Sequence, residues 1–366
     1  MADEAWREIS AWNGYEPTPL LDWSGLASAA GVASIRCKYE GSRFGVGSFK
    51  ALGGAYAALR ALKSRLHSAK QQGETIKPGD VTVCTASDGN HGLSVAWGAR
   101  RAGCRCVVFL HAHVSDYRQQ LIESMGAEVR RVKGNYDDST AEALRVSTEE
   151  DWILVADTTP EYSENPVRVM SGYGVMVKEI MEQCGVERPT HVFLQGGCGG
   201  LAAGVVGLLR ERDNSASAPR VVIVEPDKAD CLYRSAAAGH PVAVEGDLDT
   251  VMSGLSVGEV SGVAWPVLEH GADFYMRIRD EAAQKAMQAF ARGFAGDAPV
   301  EIGDSGVAGI AGALVAVKNP SMAEKLSLGR DSRILVIATE GPVDRAAYDR
   351  LIASPVESFA FQIAGE

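Results

Sequence analysis

Val81-Thr82-Val83-Cys84-Thr85-Ala86-Ser87-Asp88-Gly89-Asn90-His91-Gly92 decides the fold class. Its first residues are small or β-branched and carry no charge, which reads as a strand. Ser87 and Asp88 then offer cap chemistry, and a helix runs over 91–102. The next apolar run, Cys106-Val107-Val108-Phe109-Leu110, starts the same cycle again. Strand, helix, strand in alternation is the pattern of a parallel sheet covered by helices.

Outward from that unit the rhythm continues with a helix near 115–125, a strand at 128–132, a helix near 140–149 and a strand at 152–155. A second set follows: a helix over 171–184, a strand at 191–194, a glycine loop, a helix through Leu209 and strands at 221–224 and 334–338. Residues 214–219 and 253–265 read as loops, and there is no internal repeat or low-complexity tract. The expectation is an α/β protein of two lobes with a cleft between them, where small ligands usually bind.

The 366 residues suffice for two ordinary domains, and 46% apolar with 23% charged is usual for a globular chain. A formal charge of -11 argues against nucleic acid and anionic membrane partners. The first residues lack signal-peptide character and no apolar run is long enough to span a bilayer, so a cytoplasmic location is expected. Seven cysteines without a Cys-x-x-Cys pair indicate neither a disulfide framework nor a metal site.

One lysine stands out. In Arg43-Phe44-Gly45-Val46-Gly47-Ser48-Phe49-Lys50-Ala51-Leu52-Gly53-Gly54-Ala55-Tyr56 it lies among small and apolar residues at a helix start. An amine in a partly dry site loses some preference for the ammonium form, and the free amine can form a Schiff base with a carbonyl. The alternative is a helix lysine whose head reaches water. Gly53-Gly54 inside the helix costs roughly 1 kcal/mol per glycine relative to alanine, so a close approach to the backbone is expected there. Phe49, Leu52, Tyr56 and Leu59 fall at helical spacing and form the packed stripe.

Gln195-Gly196-Gly197-Cys198-Gly199-Gly200-Leu201-Ala202 lies between a strand and a helix, where backbone N–H groups and the helix dipole can hold a phosphate. The same residues satisfy G-x-G-x-x-A, with Glu225 ending the following strand where a ribose-binding acid would stand. Phosphate cup, dinucleotide loop and plain packing turn all remain open on spacing. Ser87 to Gly92 can likewise bind a carboxylate or simply cap a helix, and Asp157 follows a strand on the expected ligand rim.

Taken together, Lys50, Ser87 to Gly92, the glycine loop and Thr339-Glu340-Gly341 resemble the pyridoxal-phosphate enzymes of fold type II, the tryptophan-synthase β-like group. Within it the chain is most similar to the diaminopropionate ammonia-lyase family. The matches include Arg43-Phe44-Gly45, Ser48-Phe49-Lys50, Asp88-Gly89-Asn90-His91-Gly92, Asn135-Tyr136-Asp137-Asp138 and Asp157-Thr158. They continue in Met170-Ser171-Gly172-Tyr173, Val224-Glu225-Pro226-Asp227-Lys228-Ala229-Asp230-Cys231 and Tyr233-Arg234-Ser235.

The resemblance implies a two-lobed fold type II with parallel sheets flanked by helices. It places a large pyridoxal-phosphate-binding domain at 1–37 and 161–366 and a smaller α/β domain at 38–160. It implies that Lys50 carries pyridoxal 5'-phosphate, with Phe49 also at the cofactor, Asn90 on its 3-oxygen, Gly196, Gly197, Cys198, Gly199 and Gly200 on its phosphate, and Thr339 near the pyridine nitrogen. Ser87, Asp88, Gly89, His91 and Asp157 would meet a small amino-acid substrate. Lys50 would take the α-proton of an L-amino acid and Asp88 that of the D-isomer. The implied reaction is α,β-elimination of 2,3-diaminopropionate by a homodimer, and the alternative is a lyase or dehydratase for serine, threonine or 3-hydroxyaspartate. Departures from the family pattern stand at Thr159-Pro160-Glu161-Tyr162, at Asp304-Ser305-Gly306 and at Cys198.

Overall fold

Parallel pairing of apolar runs builds the protein in a computed structural model that describes residues 1–354 apart from positions 88, 113, 135, 159–162, 214, 216 and 217. The strands are β1 (Leu20–Asp22), β2 (Ser34–Tyr39), β3 (Thr82–Ala86), β4 (Arg105–His111), β5 (Glu128–Val132), β6 (Ile153–Leu154), β7 (His191–Gln195), β8 (Arg220–Pro226), β9 (Phe274–Ile278) and β10 (Arg333–Ala338). Two units emerge, Met1–Tyr15 with Phe49–Val175, and Glu16–Ser48 with the residues from Met176 onward. The chain therefore crosses between units at 15/16, 48/49 and 175/176, whereas the expectation from sequence divides it at 37/38 and 160/161 and assigns residues 1–15 to the larger domain.

The first unit carries a four-stranded parallel sheet ordered β5-β4-β3-β6. Every residue of β3 is buried, as a strand covered on both faces must be. Helix Lys50–Gln71 packs on helix Asn90–Ala102, and the expected close approach at Gly53-Gly54 is present on two sides. A Cβ on Gly53 would lie 2.5 Å from the Tyr173 ring, and one on Gly54 would lie 2.4 Å from Ser94 Oγ. Ion pairs from Arg60 to Glu4 and from Lys63 to Glu8, both 2.6 Å, fasten the first helix, Ala2–Ile9, to this unit.

The second unit holds a six-stranded sheet ordered β1-β2-β10-β7-β8-β9, parallel except for β1, which runs antiparallel to β2 at one edge. The apolar helix Ala308–Lys318 is buried along almost its whole length in a core with Phe193, Val222, Val224 and Val336. Sequence patterning does not announce β1, β2 or β9. In β2 the alternation places Arg36 and Lys38 where apolar residues would have marked a strand, because charges from elsewhere in the unit accept them.

Those charges form a buried network. Arg43 donates through Nη1 and Nη2 to the two oxygens of Glu179, both at 2.8 Å, and through Nε and Nη2 to the two oxygens of Glu40, also at 2.8 Å. Lys38 Nζ lies 2.6 Å from Glu179 and donates to the Thr18 carbonyl at 2.7 Å and to Gln183 Oε1 at 2.8 Å. Two cations balance two anions, and bidentate geometry offsets their desolvation. Losing one member strands the others. Arg43→Met is expected to cost about 3–5 kcal/mol of stability by leaving uncompensated buried carboxylates, read as a lower denaturant midpoint at unchanged slope.

Candidate active site

In the first unit the helix start at Lys50 is fixed by its own backbone. Ser94 Oγ donates to the Lys50 carbonyl at 2.5 Å and accepts from Ala55 N at 3.1 Å. The Lys50 ammonium lies 5.6 Å from the centroid of the buried Phe49 ring and donates to Asp157 Oδ2 at 2.6 Å. Both side chains are partly open, at 22% and 15% exposure, so the pair is reachable from outside the core. Burial alone would raise the Asp157 carboxyl, but the His91 ring, the Lys50 charge and the Lys50 hydrogen bond outweigh it and hold the group well below the ordinary carboxylate range.

Asp157 stands just past β6, and Ser87 and the start of helix Asn90–Ala102 follow β3, so parallel pairing of β3 with β6 brings the two strand ends together. Ser87 Oγ accepts from the N–H groups of Gly89 and Gly92 at 3.1 and 2.9 Å, which satisfies donors at the start of helix Asn90–Ala102, whose N-cap is Gly89. His91 is buried; its Nε2 donates to the Val155 carbonyl at 2.8 Å, and its Nδ1 lies 3.8 Å from Asp157 Oδ2. Asn90 opens the helix. Asp88, Asn135 and Thr159-Pro160-Glu161-Tyr162 lie outside the described residues.

In the second unit the glycine loop follows β7. Gly199 takes φ +96°, a left-handed conformation suited to glycine, and Gly196 N donates to the Val224 carbonyl at 2.8 Å. A Cβ on Gly196 would lie 2.8 Å from Glu225 Cγ, so that position has no room for a side chain. Carbonyls of the loop are taken from behind: Gly197 O accepts from Cys231 Sγ at 3.5 Å and Cys198 O accepts from Ser261 N at 2.9 Å. In a trans peptide the following N–H points the opposite way, so the N–H groups of Cys198 and Gly199 turn away from those donors. An anion cup requires N–H groups turned in this way.

Glu225 decides between the readings left open by spacing. Its two oxygens accept the N–H groups of Leu232 and Tyr233 at 2.9 and 2.7 Å, closing the amino end of helix Cys231–Ala238, so the carboxyl is engaged within the body and faces no ribose. At the end of β10, Thr339 Oγ1 accepts from Gln195 Nε2 at 3.0 Å. That bond leaves the Thr339 hydroxyl hydrogen for another acceptor. Ser94 and Gln195 thus hold the candidate residues Lys50 and Thr339, roles that no local pattern signals.

No helix among the described residues is long and apolar enough to cross a membrane. Among them, no group of three or more His, Cys, Asp or Glu side chains gathers as a metal site.

The family of pyridoxal-phosphate dependent enzymes matches residues 11–340. Diaminopropionate ammonia-lyase of Escherichia coli (strain K12) is 37% identical over 352 residues, 93% of this chain and 88% of that protein. The Salmonella typhimurium enzyme of the same name is 34% identical over 360 residues, covering 92% of this chain and 88% of its own. The crystal structure of the E. coli diaminopropionate ammonia-lyase in complex with an aminoacrylate-PLP azomethine reaction intermediate superposes with a TM-score of 0.85 at 34% identity, over 96% of this chain and 91% of that one.

Burial pushes the Glu225 carboxyl up to about 8, against the pull of the two N–H donors and with the Asp230 charge adding to the rise. The folded protein then keeps a proton that the unfolded chain releases near 4.5. Stability from this group is full below that value and declines as pH rises toward about 8. Melting temperatures from acid to mildly alkaline pH are expected to show this decline in the wild type, and Glu225→Gln is expected to flatten it.

Proposed function

The chain belongs to the pyridoxal-phosphate-dependent enzymes, and from that membership we propose that it eliminates ammonia from 2,3-diaminopropionate. One water is consumed, and the products are pyruvate and two molecules of ammonia. Pyridoxal phosphate, when bound, supplies the electron sink for the pair left behind by the α-proton. The residues fit that group. Lys50 would hold it covalently beside the Phe49 ring, Asn90 would bond its 3-oxygen, residues 196–200 its phosphate, and Thr339 would donate to its pyridine nitrogen. The Thr339 hydroxyl, whose oxygen already accepts from Gln195, has its proton left for that purpose.

The chain's own groups then do three things. Lys50, once released by the arriving substrate, takes the α-proton of the L-isomer, and Asp88 takes that of the D-isomer. Asp157 holds the β-nitrogen as an ammonium, so that it departs as neutral ammonia when the carbon–nitrogen bond breaks. Ser87 and Gly89 form the loop that receives the substrate carboxylate.

The observation that carries the substrate assignment is the 2.6 Å pair between Lys50 and Asp157. With its nitrogen engaged in holding the cofactor, Lys50 would no longer offer Asp157 a free ammonium, and the carboxylate in a partly dry site would attract a substitute. A second substrate ammonium supplies it; a 3-hydroxy amino acid does not. We also propose a homodimer, on the resemblance, and a cytoplasmic location, on the seven cysteines, none of which is in a disulfide.

Three outcomes test the assignment. Lys50→Ala is expected to abolish both the yellow absorbance of bound cofactor and pyruvate formation, and a yellow, fully active variant contradicts it. Across diaminopropionate, serine, threonine and 3-hydroxyaspartate, the first is expected to have the highest kcat/KM. Asp157→Asn is expected to lower that value about 10- to 100-fold while moving serine much less, the size of one hydrogen bond to a charged group.

A further inference from the structure

The thiol of Cys231 belongs to no step of the proposed reaction, yet it is fully buried at the start of helix Cys231–Ala238 and aimed at the glycine loop. Its sulfur lies 3.5 Å from the Gly197 carbonyl and 3.8 Å from Glu225 Oε1. A thiol has one proton to give, and the shorter contact is the one to the peptide oxygen. Burial raises the thiol far above its ordinary range, so the proton stays on sulfur.

The sulfur has no freedom to wander. Glu225 takes the N–H groups of Leu232 and Tyr233, which fixes the helix start that carries Cys231. The same side chain fills the space under Gly196, where a Cβ would lie 2.8 Å from Glu225 Cγ and 2.9 Å from Leu232 Cδ1. Helix start and glycine loop are thereby held against one another by one carboxyl. On the next peptide, the backbone N–H of Ser261 does for Cys198 O what the thiol does for Gly197 O.

We propose that Cys231 is a positioning residue for the cofactor phosphate: its S–H, donating to the Gly197 carbonyl, turns the Gly197–Cys198 peptide so that the Cys198 N–H faces the anion. This rests on the reading of residues 196–200 as the phosphate cup. Without the thiol the peptide can rotate, and one of the cup's donors is lost while the catalytic groups are untouched. A side chain that merely filled space would leave the phosphate indifferent to the change.

The experiment compares wild-type holoenzyme with Cys231→Val and Cys231→Ser. For each, the rate of pyridoxal-phosphate loss on dilution, the phosphorus-31 resonance of bound cofactor, kcat at saturating cofactor and the melting temperature are recorded. Cys231→Val, close to the thiol in size but without a donor, is expected to lose cofactor about three- to tenfold faster and to move the phosphorus resonance, with kcat within about twofold. Cys231→Ser keeps a donor and is expected to lie nearer the wild type on both. If Cys231→Val proves unfolded, Cys231→Ala takes its place with the same expectation.

A variant without a donor that holds cofactor as tightly as wild type, with an unmoved phosphorus resonance, overturns the proposal and leaves the assignment of the cup intact. Wild-type protein that binds no pyridoxal phosphate removes the parent reading instead. Faster loss with an unmoved phosphorus resonance in Cys231→Val and Cys231→Ser alike also overturns it, since the serine retains the hydrogen bond.

Discussion

Parallel pairing forces the carboxyl ends of neighbouring strands onto one edge of a sheet, and, Lys50 apart, the main candidate residues in both units stand at those ends. In the first unit β3 leads to Ser87 and the start of helix Asn90–Ala102, and β6 leads to Asp157. In the second, β7 delivers the glycine loop, β8 delivers Glu225 at its end and β10 delivers Thr339. Each strand then hands over to a loop or helix start, where N–H groups lack intrahelical partners and carry partial positive charge. A carboxylate, a phosphate or a buried acid satisfies them. Ser87 does so at Asn90–Ala102, and Glu225 does so at Cys231–Ala238.

Charge is treated differently in two of the places where it is buried or half-buried. Around Arg43, two cations and two anions are fully paired within a dry site, which fixes a conformation and does nothing else. Around Lys50, one ammonium and one carboxylate remain partly open, with a buried histidine near the same carboxylate oxygen. The first arrangement is costly to alter, whereas the second is poised to exchange partners. That difference in enclosure separates a structural ion cluster from the pair proposed as catalytic.

Much of this was legible in the residues themselves. The runs at 81–85, 106–110, 191–194, 221–224 and 334–338 are short, apolar and β-branched, and all became strands of parallel sheets. Gly53-Gly54 announced a close approach because two glycines in a helix need compensation, and Tyr173 and Ser94 supply it. What stayed hidden depends on partners distant in sequence. Strand β2 carries Arg36 and Lys38, whose acceptors Glu187 and Glu179 lie far along the chain, so its alternation looked polar. Strand β1 has only three residues, too few for a period to show. The pairing of Lys50 with Asp157 spans 107 positions and is visible only once β3 and β6 lie side by side. Glu225 ended the strand after the glycine loop, as a ribose-binding acid would, and only the hydrogen bonds to Leu232 and Tyr233 showed its carboxyl turned into the body.

The whole account turns on which amine holds the cofactor. Borohydride reduction of the holoenzyme makes that linkage permanent, and mass mapping of the resulting peptides locates it. The account predicts a single pyridoxyl phosphate adduct on the peptide that contains Ser48-Phe49-Lys50-Ala51. An adduct on any other lysine, or reduced protein that carries no adduct, would contradict it.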